Sequence, residues 1–390
     1  MQTYQRSRKK VRRINIISGS ACKVKQLGEN MSDLLSKLKR ASTVKQSEVL
    51  SKSLLFNKKD MCPTDVPILN VALSGSVDGG LTPGLTVIAG PSKHFKSNLA
   101  LLMAGAYLKK YSDAVCLLYD TEFGITPEYL KSMNVDPERV LHTPVEHVEQ
   151  LKFDITRQLE SIERGDKVVI VVDSVGNLAS KKELEDALNE KSVADMSRAK
   201  ALKSLFRICT PYLTTRDIPM LVINHTYQEI GLFPKEIMSG GTGIYYSANQ
   251  IFFMGRQQEK DGKEVSGYNF MIGVDKSRFV REKTRLPLSI SWEGGINKWS
   301  GLLDVGTEIG WIRKPANGWF EGVNANTGEV ITDKKRRKDT DTAEFWLPIF
   351  KAGFADAIKK RFSISEVRAV VEEEDGDVYA EDIEEEVHEA

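Results

Sequence analysis

Residues 90–97 read GPSKHFKS, from Gly90 to Ser97. The stretch follows an apolar run at 85–90, LTVIAG, and leads into SNLALLMAGAYLKKY at 97–111. Buried strand, loop and helix is the context that a phosphate-binding loop, G-x-x-x-x-G-K-[ST], requires. Gly90 gives the exit from the strand, Lys96 the cation for the outer phosphates, and Ser97 the hydroxyl for magnesium. The loop Gly90, Pro91, Ser92, Lys93, His94, Phe95, Lys96 and Ser97 would work by aiming backbone N–H groups and a helix N-terminus at phosphate oxygens. Phe95 stands where the motif has glycine. A phenylalanine there is expected at negative φ, in a first helical turn, with its ring turned away from the phosphates.

Four more apolar runs read as strands: AVCLLYDTE (114–122), KVVIVVDS (167–174), IPMLVINH (218–225) and QIFFMGR (250–256). Their near-continuous apolar character says that both faces are covered. Helices are predicted between them at 127–133, 147–163 and 192–210. This alternation predicts an α/β fold with a mainly parallel central sheet and ligands at the carboxyl ends of the strands. Three of those ends are polar. Asp173 fits the acid that holds magnesium through water, and Glu122 a carboxylate that orients or deprotonates water for attack on a γ-phosphate. Asn224 and His225 fit a sensor of that phosphate. Each residue taken alone reads as well as a turn cap, a solvated acid or a satisfied histidine.

The chain has 390 residues, 41% of them hydrophobic, and a net charge of +1, so no overall charge bias points to nucleic acid or membrane. Four cysteines in no paired spacing read as reduced thiols of a cytoplasmic protein. No apolar run approaches the roughly 18 residues of a membrane span, and the N-terminus is too polar for a signal peptide. The near-neutral total hides two charged ends. Residues 1–30 hold eight Lys/Arg against one acid. They read as an extension from a mis-assigned start, or as a disordered segment, upstream of a natural start at Met31-Ser32, with a real basic arm that touches nucleic acid as the rival. Residues 364–390 read as a disordered acidic tail, with twelve Asp/Glu against one arginine from 366 onward. Between the ends lie a short helical segment at 31–65, a core at 66–295 and a small α/β lobe at 296–363, where four of the five tryptophans fall (Trp292 just precedes it).

The succession of P-loop, Glu122, Asp173 and Asn224-His225 at the strand ends resembles the RecA family of DNA-strand-exchange recombinases, and in detail its UvsX-type branch from T-even bacteriophages. The likeness spans about residues 31–363. It is carried by PILNVALSGSVDGGLTPGLTVIAGPS, YDTEFGITPEYLKSMNVDPERV, DSVGNLASKKELEDALNEK, VINHTYQEIGLFPKEIMSGGTG and SWEGGINKWSGLLDVGTEIGWI. It implies a RecA-like P-loop ATPase core, with the N-terminal segment serving oligomerisation. Its cofactors would be ATP and Mg2+, and Lys96, Glu122 and His225 its catalytic residues. His225 occupies the place of a glutamine in bacterial RecA. Tyr129 would stack on adenine, and Lys276 and Arg278 would reach the ATP of a neighbouring subunit. Single-stranded DNA would meet a basic helix with Arg198, Lys200, Lys203 and Arg207 spread around it. It would also meet a mobile loop at 226–243 with Tyr227, Phe233 and Gly240-Gly241-Thr242-Gly243. The implied protein is an ATP-dependent recombinase. It forms helical filaments on single-stranded DNA, pairs them with homologous duplex, and works with mediator and single-stranded-DNA-binding proteins in a host cytoplasm. A hexameric helicase on the same core and an ATP-gated coating protein with little turnover are the rivals.

Overall fold

The computed structural model describes residues 33–44, 46–53, 60–189, 197–229, 235–261, 264–291 and 295–364. The basic extension and the acidic tail from 365 lie outside these. The chain divides into two compact units, Met1–Lys58 and Lys59–Ala390. In the first, helix α1 (33–41) leaves Leu34, Leu35 and Leu38 exposed.

The second unit opens with α2 (Pro67–Ser74), begun by a proline at its first position, where the missing N–H has no helical partner to lose. It continues with β1 (Gly84–Gly90), α3 (Lys96–Lys110), β2 (Val115–Asp120), α4 (Pro127–Ser132), β3 (Val140–Pro144), α5 (Val148–Ser161) and β4 (Val168–Asp173). Then come α6 (Lys181–Leu188), α7 (Ser197–Thr215), β5 (Pro219–Gln228), β6 (Glu236–Met238), α8 (Gly243–Ser247), β7 (Gln250–Asp261), β8 (Glu264–Lys276), β9 (Arg285–Ser291) and β10 (Gly295–Ile296). These strands form one sheet in the order β10-β9-β8-β7-β1-β5-β4-β2-β3, with β6 paired to β5. From β3 through β7 the neighbours are parallel; β7 through β10 are antiparallel.

The apolar runs are continuous because the sheet separates two cores. In β1, Leu85, Val87 and Ala89 face the layer of α5 and α7, while Ile88 faces that of α2 and α3. β4 divides the same way, Val169 and Val171 against Val168, Ile170 and Val172. A strand buried on both faces has no polar side to show, so its helices must lie on both.

The remaining elements are α9 (Leu302–Glu308), an antiparallel sheet of β11 (Ile312–Ala316), β12 (Trp319–Gly322) and β13 (Lys335–Arg336), then α10 (Ala343–Ile349) and α11 (Ala355–Phe362). The predicted small lobe is therefore present. Its core, however, is shared with the larger part: Trp346, Phe354 and Phe362 belong to one apolar cluster with Val280 and Leu286. The chain after α11 also returns to the core, where Ser363 bridges Val280 and its hydroxyl donates to the Gly75 carbonyl at 3.2 Å. Cys62, Cys116 and Cys209 are free and buried, and burial pushes the Cys116 thiol up to about 12. Among the described residues no helix is long and apolar enough to cross a membrane.

Candidate nucleotide site and DNA-facing surface

The sheet register builds the site. Gly90 of β1 pairs with His225 of β5, and Asp120 of β2 pairs with Asp173 of β4. Parallel strands run in step, so four segments far apart in sequence end side by side.

Phe95 departs from expectation. Its backbone is left-handed, φ 62° and ψ 18°, immediately before α3 begins. Lys93 is left-handed as well, with φ 60°. Such a conformation costs a non-glycine residue roughly 1–2 kcal/mol. The loop keeps the path that glycine would take, so the expected first-turn backbone is wrong. The phenyl ring stacks on Phe270 of β8, centroids 5.2 Å apart, and packs on the apolar cluster. The ring is partly buried, and its aromatic pairing, worth roughly 0.5–1.5 kcal/mol beyond the area it covers, offsets the backbone cost in part.

Lys96 is buried, and its Nζ donates across the loop to the Pro91 carbonyl at 2.7 Å. Burial pushes its ammonium down, while the charges of Asp173 and Glu122 hold it up. Asp173 is 5% exposed. Burial raises its carboxyl to about 6; a Ser97 hydrogen bond and Lys96 oppose the rise, and Glu122 and Asp120 add to it. Its Oδ1 is buried with no hydrogen-bond partner among the described residues. A buried carboxylate oxygen without a donor, beside a hydroxyl and a lysine, suits a hydrated magnesium ion. The residues present therefore fit that ion.

Glu122 is exposed, yet its carboxylate is held in place. Its Oε1 accepts from Ser174 Oγ at 2.9 Å and from Asn177 Nδ2 at 3.1 Å, and His225 Nε2 lies 3.0 Å away. The His225 ring also lies 3.1 Å from Ser174 Oγ. Gly176 permits this closeness, because a Cβ there would stand 2.4 Å from the imidazole Cδ2. The turn bearing Glu122 is fixed from behind by buried Asp120, whose Oδ1 accepts from the N–H groups of Glu122 at 3.0 Å and Phe123 at 2.8 Å. His142 Nε2 meets the other Asp120 oxygen at 3.1 Å. Thr121 ties the ends of β2 and β4 together, donating its hydroxyl to the Ser174 carbonyl at 2.8 Å.

Tyr129 sits half-buried on α4, whose N-cap Thr126 accepts from the Tyr129 N–H at 3.2 Å. Burial, and then the charge of Asp173, push its phenol up. Lys276 and Arg278 are not brought to this chain's own loop. The ladder sets Lys276 opposite Ile251, level with Val87 rather than with Gly90. The Lys276 Nζ donates to the Tyr245 carbonyl at 2.7 Å, and Arg278 is exposed.

Lys200, Lys203 and Arg207 are exposed on α7. Their spacing of three and four puts them on one stripe, not around the whole helix. Arg198, expected on DNA phosphate, is turned inward. Its guanidinium donates to the carbonyls of Leu178 at 2.5 Å, Val175 at 3.0 Å and Gly176 at 2.7 Å, and to Ser239 Oγ at 3.2 Å. It clamps the turn behind Asp173 to the segment after β6. Within the segment 226–243, expected as a loop, Thr226, Tyr227 and Gln228 pair antiparallel with Met238, Ile237 and Glu236. Phe233 lies outside the described residues, and Tyr227 is exposed. Gly240, Gly241 and Thr242 lead into α8, and Gly243 seats that helix on α7, where a Cβ would meet Lys203 at 2.7 Å. This segment hangs from the sensor strand: Asn224 Nδ2 donates to the Ser239 carbonyl at 2.9 Å, and the Ser239 N–H donates to the His225 carbonyl at 2.9 Å.

Asp120, Thr121, Ser174 and Asn177 were not singled out from sequence. Asp120 had a readable signal, since an aspartate commonly accepts from the N–H groups two and three residues on. Ser174 and Asn177 had none, because only the strand register brings them to Glu122.

This arrangement defines a P-loop ATPase of the RecA class. The model of the RecA N-terminal domain matches residues 34–297, and the chain belongs to the RecA family. A second model, the C-terminal domain of the bacteriophage T4 recombination and repair protein, matches residues 299–358. The recombination and repair protein of Enterobacteria phage T4 is 53% identical over 342 residues, 86% of this chain and 88% of that protein. The RecA proteins of Cutibacterium acnes (28% over 272 residues, 68% of this chain and 75% of theirs) and Acidothermus cellulolyticus (28% over 292 residues, 73% and 81%) are more distant. The chain is thus a recombination and repair protein, an ATPase that acts with single-stranded DNA. Proteins of this family use ATP and Mg2+ and work on DNA as filaments.

Two outcomes are expected. The folded-state pKa of Asp173, about 6, lies above its unfolded value. Its stabilising contribution is therefore complete below the unfolded value and is lost as pH rises through 6. In nucleotide-free protein, Asp173→Asn should gain about 3 kcal/mol at pH 8 relative to the parent, and the gain should shrink toward zero as pH falls to 4. Thermal unfolding across pH measures this. Arg198→Ala should cost about 2 kcal/mol in unfolding, by leaving buried acceptors unpaired, without changing the salt dependence of DNA binding.

Proposed function

We propose that this chain assembles head to tail on single-stranded DNA as a helical filament, pairs that strand with homologous duplex and exchanges strands, with ATP bound between subunits. The observation that carries the reading is the 3.0 Å contact between Glu122 and His225. It joins Glu122, at the end of β2, to the strand from which the β5–β6 pairing extends.

The roles follow from the geometry. ATP phosphates would draw Lys96 from the Pro91 carbonyl and accept from the loop N–H groups, while Tyr129 stacks on the base. Ser97 would hold magnesium directly and Asp173 through water; the ion neutralises charge between the outer phosphates. Glu122, kept in place by Ser174, Asn177 and Asp120, would orient a water for in-line attack and take its proton. A γ-phosphate near this carboxylate would shift its contact with His225, and the β5–β6 pairing with it. Lys200, Lys203 and Arg207 would hold DNA phosphates. Tyr227, with Phe233 and the segment Gly240, Gly241, Thr242 and Gly243, would meet bases and backbone.

Lys276 and Arg278, turned away from their own loop, would serve the ATP of the next subunit. The exposed leucines of α1 support its docking on a neighbour. A heterologous contact that does not close produces a filament rather than a ring. The acidic tail would compete with DNA for the basic stripe and receive basic mediator proteins. The reading places the protein in a host-cell cytoplasm.

A circular single strand with a homologous linear duplex and ATP should yield joint molecules and exchanged products; unwinding without pairing would overturn the reading. Glu122→Gln should lower DNA-stimulated ATP hydrolysis at least about a hundredfold while filaments still form. Replacing Lys200, Lys203 and Arg207 with glutamine should reduce the slope of log affinity against log salt by about 2 for single-stranded DNA. Deleting 366–390 should tighten duplex binding at low salt, an effect that vanishes near about 1 M, where the Debye length is about 3 Å.

A further inference from the structure

The two left-handed residues of the phosphate loop are both held from outside it. Arg256 Nη1 donates to the Lys93 carbonyl at 3.0 Å. Phe270 stacks on Phe95 with the rings 28° from parallel. Arg256 and Phe270 stand directly opposite each other in the β7–β8 ladder. Cross-strand partners project from the same face of a sheet, so one pair supplies both contacts. Tyr268 braces them: its ring lies 4.9 Å from the Arg256 guanidinium and 5.9 Å from the Phe270 ring.

We propose that Arg256 and Phe270 are positioning residues for ATP binding, a cross-strand clamp that holds Lys93 and Phe95 in the left-handed conformation the phosphate loop needs. Glycine reaches that conformation freely, and phenylalanine reaches it only where contacts compensate. In this chain a side-chain clamp on the neighbouring strands replaces backbone freedom within the loop. Without the clamp, Phe95 relaxes toward right-handed φ and the loop N–H groups no longer converge. The loss falls on nucleotide binding, because Glu122 and its partners hang from other strands. The inference concerns the ATP site alone and does not require strand exchange.

The test uses the full chain, a fluorescent mant-ADP titration, and steady-state ATP hydrolysis on saturating single-stranded DNA. Arg256→Gln changes an exposed residue. Phe270→Leu keeps an apolar side chain, and far-UV melting confirms that each variant folds. Each should weaken mant-ADP binding and raise the KM for ATP about five- to tenfold, with kcat within about twofold, and Arg256→Lys should restore part of the loss. In a Phe95→Gly background, Phe270→Leu should change mant-ADP affinity less than about twofold, because glycine needs no clamp. An equal loss from Phe270→Leu in both backgrounds, or an unchanged KM in Arg256→Gln, would overturn the proposal.

Discussion

A single carboxylate oxygen organises this molecule. Glu122 Oε1 is met by a serine hydroxyl, an asparagine amide and a histidine ring nitrogen from two other strand ends. An acid so placed is fixed in direction, and direction is what a group that must align water requires. Its position depends on Asp120 behind it and on the in-step pairing of β2 with β4 and of β1 with β5. A one-residue slip would turn Asp173 or Glu122 to the opposite face of the sheet. The buried apolar strands are therefore also the mechanism that sets the site, since their packing on two sides fixes the register.

In the proposed reading the same oxygen would link chemistry to DNA. His225 lies on β5, and β5 runs on into the pairing with β6, whose exit is tied back through Asn224 and Ser239. Arg198 adds a second tie from α7 to the turns on both sides of the site. A change at the phosphate end thus has a short covalent and hydrogen-bonded route to the basic stripe of Lys200, Lys203 and Arg207.

Much of this was legible in the sequence. The strand runs are apolar on both faces, so period and length give the α/β core, and the polar residues that end them mark the site. What escaped depended on three-dimensional neighbours. The backbone at Phe95 could not be read, because the stack that partly offsets its left-handed conformation comes from Phe270, far away in sequence. Arg198 shared the basic character of its helix, but the carbonyls that capture it come from the turn after Asp173. The segment 226–243 looked like a glycine-rich loop; its pairing with β5 and its seat on α7 give the glycines a steric purpose. The C-terminal lobe was marked by its tryptophans, whereas the continuity of its core with the ATPase part rests on packing that composition does not encode.

The most direct measurement is the structure of the filament on single-stranded DNA with magnesium and a non-hydrolysable ATP analogue. The account predicts the metal on the Ser97 hydroxyl with Asp173 in its water shell, and Glu122 aimed at a water in line with the γ-phosphate. It also predicts Lys276 and Arg278 from the adjacent subunit on the same nucleotide. Glu122 turned away from the phosphate, or a nucleotide contacted only by its own chain, would contradict it.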